Sequence, residues 1–328
     1  ILGAATFLEA ARGREVALWY VYNHLWFILL LALFALNVAA AMAVRFPWKL
    51  RHAGFLLAHL GLLAILAGSI QTFFRGIEGQ VSIVEGATAE TMFMTSQSQV
   101  RVSWTEGEEE FDLDFPFQPG PVDWRRGKTR YLGESDGIEI TVLKFYRYAQ
   151  ARTTSGDDSR PDGQDAAFRS ITPADRDSTS LDAAILVEVS TSGKKHEFWL
   201  RRNDQQYGYK MLTVDDRRLL ISFVYAIRPL GFELELIDFT RGKNPGGMGN
   251  ASFASEVRLI DKAEGIDRKT KISMNSPLTY GKFTLYQSSY RELGDREMTV
   301  LSAAHDPGRF LKYLGSIMIC LGAAVMLC

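Results

Sequence analysis

Residues 51–70, RHAGFLLAHLGLLAILAGSI, decide how the chain is organised. After the first two residues the stretch is almost wholly apolar or glycine, and the run extends past Gln71 and Thr72 to Phe74. A soluble amphipathic helix would place polar residues every few positions, whereas His59 is the only polar side chain between residues 53 and 68. About 20 apolar residues match the thickness of a bilayer. The stretch therefore predicts a membrane-spanning helix over residues 53–74.

Two further apolar runs predict membrane spans over residues 25–44 and 309–328. The opening residues ILGAATFLEA are interpreted as the end of another helix that starts before Ile1, and the last run as a truncated span. The chain is thus divided into an N-terminal membrane region, 1–74, a large middle domain, 75–308, and a C-terminal span, 309–328.

The loop between the first two spans predicts the orientation of the chain. It reads RFPWKLRH and carries Arg45, Lys49 and Arg51, and a short basic loop is expected on the cytoplasmic side. Residues 75–308 would then be extracytoplasmic, in a multi-pass protein of the inner (plasma) membrane, with the thylakoid membrane as an alternative. The net charge of −1 and the lack of a long basic run argue against a nucleic-acid partner.

The middle of the sequence is typical of β-structure. Residues 110–115, EFDLDF, alternate apolar and acidic side chains, and residues 183–202 predict a hairpin that turns at Ser192-Gly193. Residues 151–180 are polar and predict a flexible insertion. The predicted fold class is an α+β membrane protein, with helices at both ends of a large extracytoplasmic all-β domain, either a sandwich or an open barrel.

No motif of an ordinary hydrolase or metalloenzyme is present, and no catalytic residue is predicted. The two cysteines, Cys320 and Cys328, both lie in the last apolar run. The middle domain therefore has no disulfide and no CxxC motif, and any thiol chemistry would depend on a thiol-reducing partner such as a thioredoxin-like protein.

His59 is the strongest single candidate for a functional residue. One interpretation is an interhelical hydrogen bond, for example to Asn37, and the other is axial ligation of haem iron by a neutral imidazole. Gly54, Gly61 and Gly68 recur every seven residues on the same helix. They form a flat strip that would admit either another helix or a planar ring.

The other histidines have simpler interpretations. His24 falls in an aromatic belt at a membrane interface, His52 in the basic loop, His305 in a turn before the last span, and His196 on a solvent-exposed strand. His24, His52 and His305 are kept as secondary candidates for residues near a haem.

Several stretches carry a resemblance to a known family, and along the chain they are EAARG, YNHLWFILLLALFALN, RFPWKLRHAGF, HLGLLAILAGS, RGIEGQVSIVEG, NSPLTYGKFTLYQSSY and DPGRFLKYLGSIMICLGAAV. Taken in this order, they resemble the ResB (CcsB-type) cytochrome c biogenesis proteins of System II.

The resemblance implies a subunit that works with a CcsA/ResC-type membrane protein to move haem outward for attachment to apocytochrome c. His59 would be an intramembrane ligand of the iron of a transiently bound haem b. The Trp-rich haem-handling motif of the partner is absent from these residues. The resemblance therefore implies a non-catalytic or haem-handling subunit of a haem lyase.

Two other functions remain open. One is a haem-b or structural subunit of a membrane respiratory complex, whose outer β-domain contacts other subunits. The other is a membrane-anchored binding or adhesion protein that carries no cofactor.

Overall fold

The computed structural model describes residues 2–12, 17–118, 129–151, 171–173, 182–203, 208–214, 217–243 and 250–327. Contacts within the chain divide it into two compact units. The first comprises residues 1–90 and 230–328, and the second comprises residues 91–229. The predicted division into residues 1–74, 75–308 and 309–328 follows the expected faces of the membrane, and it stays a prediction. The predicted insertion at 151–180 lies outside the described residues, apart from Ala151 and residues 171–173.

Long helices lie at both ends of the chain, as predicted. They are α1 (Leu2–Arg12), α2 (Leu25–Ala43), α3 (Ala53–Arg75) and α4 (Arg309–Leu327). A π-helical turn, Leu18–Tyr22, precedes α2, and a 3₁₀ turn, Leu50–His52, leads into α3. Three of the helices, α2, α3 with its leading turn, and α4, are long and apolar enough to cross a membrane, with mean hydropathies of 2.4, 2.0 and 1.9.

The region between α3 and α4 is built from antiparallel strands, which confirms the predicted all-β domain. The described strands are β1 (Ile77–Val84), β2 (Thr88–Glu106), β3 (Glu109–Phe117), β4 (Arg130–Ser135), β5 (Ile138–Tyr146), β6 (Ala149–Ala151), β7 (Ile171–Pro173), β8 (Ala184–Thr191), β9 (Lys194–Arg201), β10 (Tyr209–Val214), β11 (Arg217–Lys243), β12 (Asn250–Asp261), β13 (Ile266–Ser273), β14 (Leu278–Tyr280), β15 (Phe283–Leu293) and β16 (Arg296–His305).

The second unit is a β-sandwich. Within this unit strands β10, β11, β2 and β3 pair in this order, and β4-β5-β8-β9 form a separate four-stranded sheet. Apolar side chains at alternate positions of both sheets form one core, which includes Val102, Ile140, Val187 and Phe223. The predicted hairpin is confirmed, because β8 and β9 pair along their lengths around Ser192 and Gly193. Both turn residues have a positive φ, as a tight hairpin turn requires.

In the first unit, two neighbouring strands continue into two neighbouring helices. Strand β1 pairs with β16 over its whole length, with Ile77 opposite His305. Helix α3 leads into β1 through Gly76, and β16, which ends at His305, leads into α4 through three intervening residues. The helix pair and the strand pair are therefore directly continuous with each other at one end of these strands.

Helices α3 and α4 pack through glycine on both sides. Gly54, Gly61 and Gly68 of α3 are buried, as are Gly315 and Gly322 of α4. A Cβ atom built on Gly54 would lie 2.8 Å from the carbonyl oxygen of Gly322, and one on Gly61 would lie 2.6 Å from that of Gly315. Real Cβ atoms do not approach oxygen so closely. The two backbones are thus in direct contact, a mode of packing that small residues allow between membrane helices.

The first prediction concerns this glycine contact. Gly61→Val should destabilise the chain by about 2 kcal/mol, because its added carbons would meet backbone rather than a movable side chain. Ala67→Val places the same side chain at an exposed position of α3 and should change stability by less than about 0.5 kcal/mol. Thermal unfolding of the full chain in detergent, followed by circular dichroism, measures both. Equal losses in the two variants would contradict the contact.

Candidate functional site

His59 lies in the second turn of α3, and its hydrogen bond fixes which ring nitrogen is free. Its Nδ1 is 2.9 Å from the carbonyl oxygen of Phe55. Because a carbonyl oxygen only accepts, Nδ1 must carry the proton and donate it. In the neutral ring the lone pair is then on Nε2, which is the state in which an imidazole ligates a metal. The alternative hydrogen bond to Asn37 is not formed among the described residues.

A stack of three side chains ends at His59. The ring of Phe55 lies 3.7 Å from the imidazole, centroid to centroid, with the planes tilted by 37°. On the same phenyl ring the guanidinium carbon of Arg45 lies 3.5 Å from the centroid. A cation over an aromatic face is attracted by about 0.5–2 kcal/mol, depending on its exposure to water. Arg45 comes from the loop after α2, so this stack ties the loop to the first turns of α3.

His59 does not face the glycine strip. At about 100° per residue, it lies roughly 150° around α3 from Gly54 and Gly61. Helix α4 covers the glycine strip. Of the two interpretations of the strip, the structure therefore supports helix packing and not the approach of a planar ring. His59 is half-buried on the far face of the helix pair. A ligand at Nε2 would therefore approach from the side away from α4.

His24 and His52 use their ring nitrogens differently. His24 caps α2, and its Nδ1 accepts from the backbone N–H of Trp26 at 3.4 Å. In the neutral ring its proton is then on Nε2, which leaves no lone pair for a metal. At His52 the backbone N–H of Lys49 points at Nδ1 and the Nε–H of Arg51 points at Nε2, both at 3.3 Å. A neutral ring accepts only one of the two, so this histidine serves the loop.

His305 resembles His59 in its tautomer but not in its position. Its Nδ1–H donates to the carbonyl oxygen of Lys282 at 2.7 Å, which leaves Nε2 with the lone pair. It stands opposite Ile77, beyond the end of α3. The 16 residues from His59 to Arg75 rise by roughly 24 Å. The two histidines therefore cannot ligate the same iron.

The described residues do not supply a complete metal site. No group of three or more His, Cys, Asp or Glu side chains within them is arranged to hold a metal ion. A metal bound at His59 would need its remaining ligands from a macrocycle or from another chain.

At the end of the helix pair that adjoins strands β1 and β16 lies Asp306, which the sequence analysis treated only as part of a turn. Its carboxylate accepts from the hydroxyl of Thr72 at 2.6 Å, from Nζ of Lys312 at 2.6 Å and from the backbone N–H of Gly308 at 3.1 Å. Partial burial acts to raise the pKa of Asp306, but the hydrogen bonds from Lys312 and Thr72 and the charge of Lys312 outweigh it. The pKa therefore lies below its ordinary value.

Comparison with known proteins adds the family. Two segments, residues 48–117 and 207–299, match the sequence model of the ResB-like family. The chain belongs to the ResB-like family. Protein NrfI of Wolinella succinogenes is 27% identical to it over 320 residues, which are 97% of the chain and 32% of that protein. The chain thus spans about a third of the length of this relative.

The ResB-like match separates the candidate residues. The first matched segment contains His59, Phe55 and the glycine strip of α3. It also contains His52, whereas His24 and His305 lie outside both segments. Of the four candidate histidines, His59 alone both leaves the lone pair of the neutral ring on Nε2 and lies within a matched segment.

The sequence did contain a signal for the helix pair of this ResB-like chain. Gly308, Gly315 and Gly322 recur at the same seven-residue spacing as the glycines of α3. Two apolar helices with matching glycine heptads predict a close contact. Asp306 lies two residues before the first of these glycines, and no local pattern indicated its bond to Thr72.

The second prediction concerns the pH dependence of the stability that the hydrogen bonds to Asp306 provide. Because the pKa of Asp306 is lowered on folding, its stabilisation is complete above the ordinary pKa of an aspartate and is lost as pH falls through the lowered value. Asp306→Asn should cost about 1–3 kcal/mol at neutral pH, the usual range for charge-assisted hydrogen bonds, and should make acid unfolding less steep.

Asp295→Asn, at an exposed turn, removes the same charge without a comparable set of bonds and is the control. Unfolding in detergent at pH 7 and at successively lower pH measures both effects. Identical dependence of stability on pH for wild type and Asp306→Asn would contradict a stabilising role of these hydrogen bonds.

Proposed function

We propose that this chain is a membrane subunit of a System II cytochrome c synthase, which helps to move haem across the membrane and to present it to apocytochrome c. The observation that carries the proposal is the free Nε2 of His59 inside an apolar helix of the segment that matches the ResB-like family. An ionisable side chain within such a helix is a functional candidate because placing it there is costly.

The chemistry suits a cargo that brings its own metal ligands. A haem supplies four nitrogen ligands to its iron and needs one or two axial ligands from protein. The neutral imidazole of His59 would be one of them, and the hydrogen bond to Phe55 would hold the ring in orientation and tautomer. The other axial ligand would come from a partner of the CcsA/ResC type. Haem b is thus bound in passing and is not a resident cofactor.

The distribution of basic residues along the chain supports a direction for the transfer of haem. The basic loop at the start of α3 would face the cytoplasm, where haem is taken up, and the strands would lie outside, in the periplasm of a bacterium. His59 is then in the cytoplasmic half of the membrane. The outer β-domain would act as a docking surface for apocytochrome c or for the partner.

The third prediction tests the ligand role. Wild type, His59→Ala and His196→Ala are each produced with the CcsA/ResC-type partner, and bound haem and covalent holocytochrome c are measured. His59→Ala should lose most of its bound haem and of its holocytochrome c, because the iron loses an axial ligand. His196 lies on β9 in the second unit, and its replacement should leave both quantities unchanged.

Other outcomes would favour the alternatives. Full haem content in His59→Ala would refute the ligand role. A stable haem-b spectrum with normal cytochrome c maturation in this variant would point to a subunit of a respiratory complex. Wild type without haem, both alone and with the partner, would favour a binding protein that carries no cofactor.

A further inference from the structure

The basic end of the helix pair has no acidic residue of its own. From Val16 to Ile77 the sequence contains no Asp or Glu, while the loop in its middle carries Arg45, Lys49 and Arg51. Within the described residues no carboxylate pairs with Arg45, whose guanidinium contacts the ring of Phe55. A cation at this position is therefore available to an anion from outside the chain.

Arg45 differs from its neighbours in the loop because it is held in place. The distance of 3.5 Å from its guanidinium carbon to the Phe55 centroid is the contact distance of two stacked flat groups. In this arrangement the N–H groups at the edge of the guanidinium remain free to donate. Arg51 instead directs its Nε–H to His52. Only Arg45 presents its donors from a fixed platform on α3.

The same phenyl ring of Phe55 also contacts His59. Phe55 separates the guanidinium, at 3.5 Å, from the imidazole, at 3.7 Å, so that cation and metal ligand lie within about 7 Å of each other. A single ligand that carries both a metal and a carboxylate would match both groups. A planar guanidinium suits a carboxylate well, because it donates two parallel hydrogen bonds.

We propose that Arg45 binds a carboxylate of the cargo whose metal His59 ligates, so that Arg45, Phe55 and His59 form one binding site at the basic end of α3. The inference rests on the proposed function and names the part of the cargo that is recognised, the propionate side chains of haem. Arg45 selects a metalloporphyrin that has free carboxylates and orients them toward the basic end of the helix pair.

The experiment compares haem with haem dimethyl ester, which has the same iron and ring but no carboxylate. The full chain is placed in phosphatidylcholine nanodiscs, with or without phosphatidylglycerol, and each ligand is titrated by its Soret absorbance. Wild type should bind haem about tenfold more tightly than the ester. Arg45→Gln should bind both as weakly as wild type binds the ester, with an unchanged Soret position, because His59 still ligates the iron. Arg45→Lys should keep only part of the preference.

Arg51→Gln is the matched control, since it removes one charge from the same loop, and it should retain the full preference for haem. The inference would be overturned by equal binding of haem and ester by wild type, by an unchanged preference in Arg45→Gln, or by equal losses in Arg45→Gln and Arg51→Gln, which would indicate a general effect of surface charge. An effect of Arg45→Gln confined to discs with phosphatidylglycerol would assign the residue to lipid headgroups and would also overturn it. Wild type that binds neither ligand, both alone and with the CcsA/ResC-type partner, would instead refute the proposed function.

Discussion

The direct contact between the glycines of α3 and α4 is the constraint on which the rest of the first unit depends. Three glycines at seven-residue intervals on α3 meet Gly308, just before α4, and Gly315 and Gly322 within it, and no side chain separates the two backbones at these contacts. Such a contact fixes the rotation of each helix about its own axis, because any turn would push a side chain into the partner. His59, on the opposite face of α3, is thereby directed away from α4.

The contact also joins the helices to the sheet. The paired strands β1 and β16 continue into α3 and α4, and the carboxylate of Asp306 bonds across to Thr72 where strands become helices. Helix pair and strand pair therefore behave as one element within this unit. At the opposite end of α3, the loop residue Arg45 stacks on the ring of Phe55. His59 thus lies on a rigid helix, near a cation, with its free nitrogen directed outward.

Much of this organisation could be predicted from the sequence, and the reasons are physical. The lengths of the apolar runs gave the three long helices to within a residue or two, because hydrocarbon thickness sets that length. The hairpin at Ser192-Gly193 followed from turn chemistry. The bond between Asp306 and Thr72 could not be predicted, since it joins residues 234 positions apart. The stack of Arg45 on Phe55 depends on the path of a loop, which periodicity does not describe. The tautomers of the histidines follow from backbone carbonyls and amides, which no side-chain pattern reports.

The central claim is that His59 of this chain ligates the iron of haem through Nε2. The most direct test is electron–nuclear double resonance of the haem-loaded complex, in which this chain alone carries ¹⁵N-labelled histidine and the partner is unlabelled. We expect a ¹⁵N hyperfine coupling of the size of a directly bound imidazole nitrogen with the wild-type chain, and its loss when this chain carries His59→Ala. A spectrum of the wild-type chain without any ¹⁵N coupling would contradict the claim.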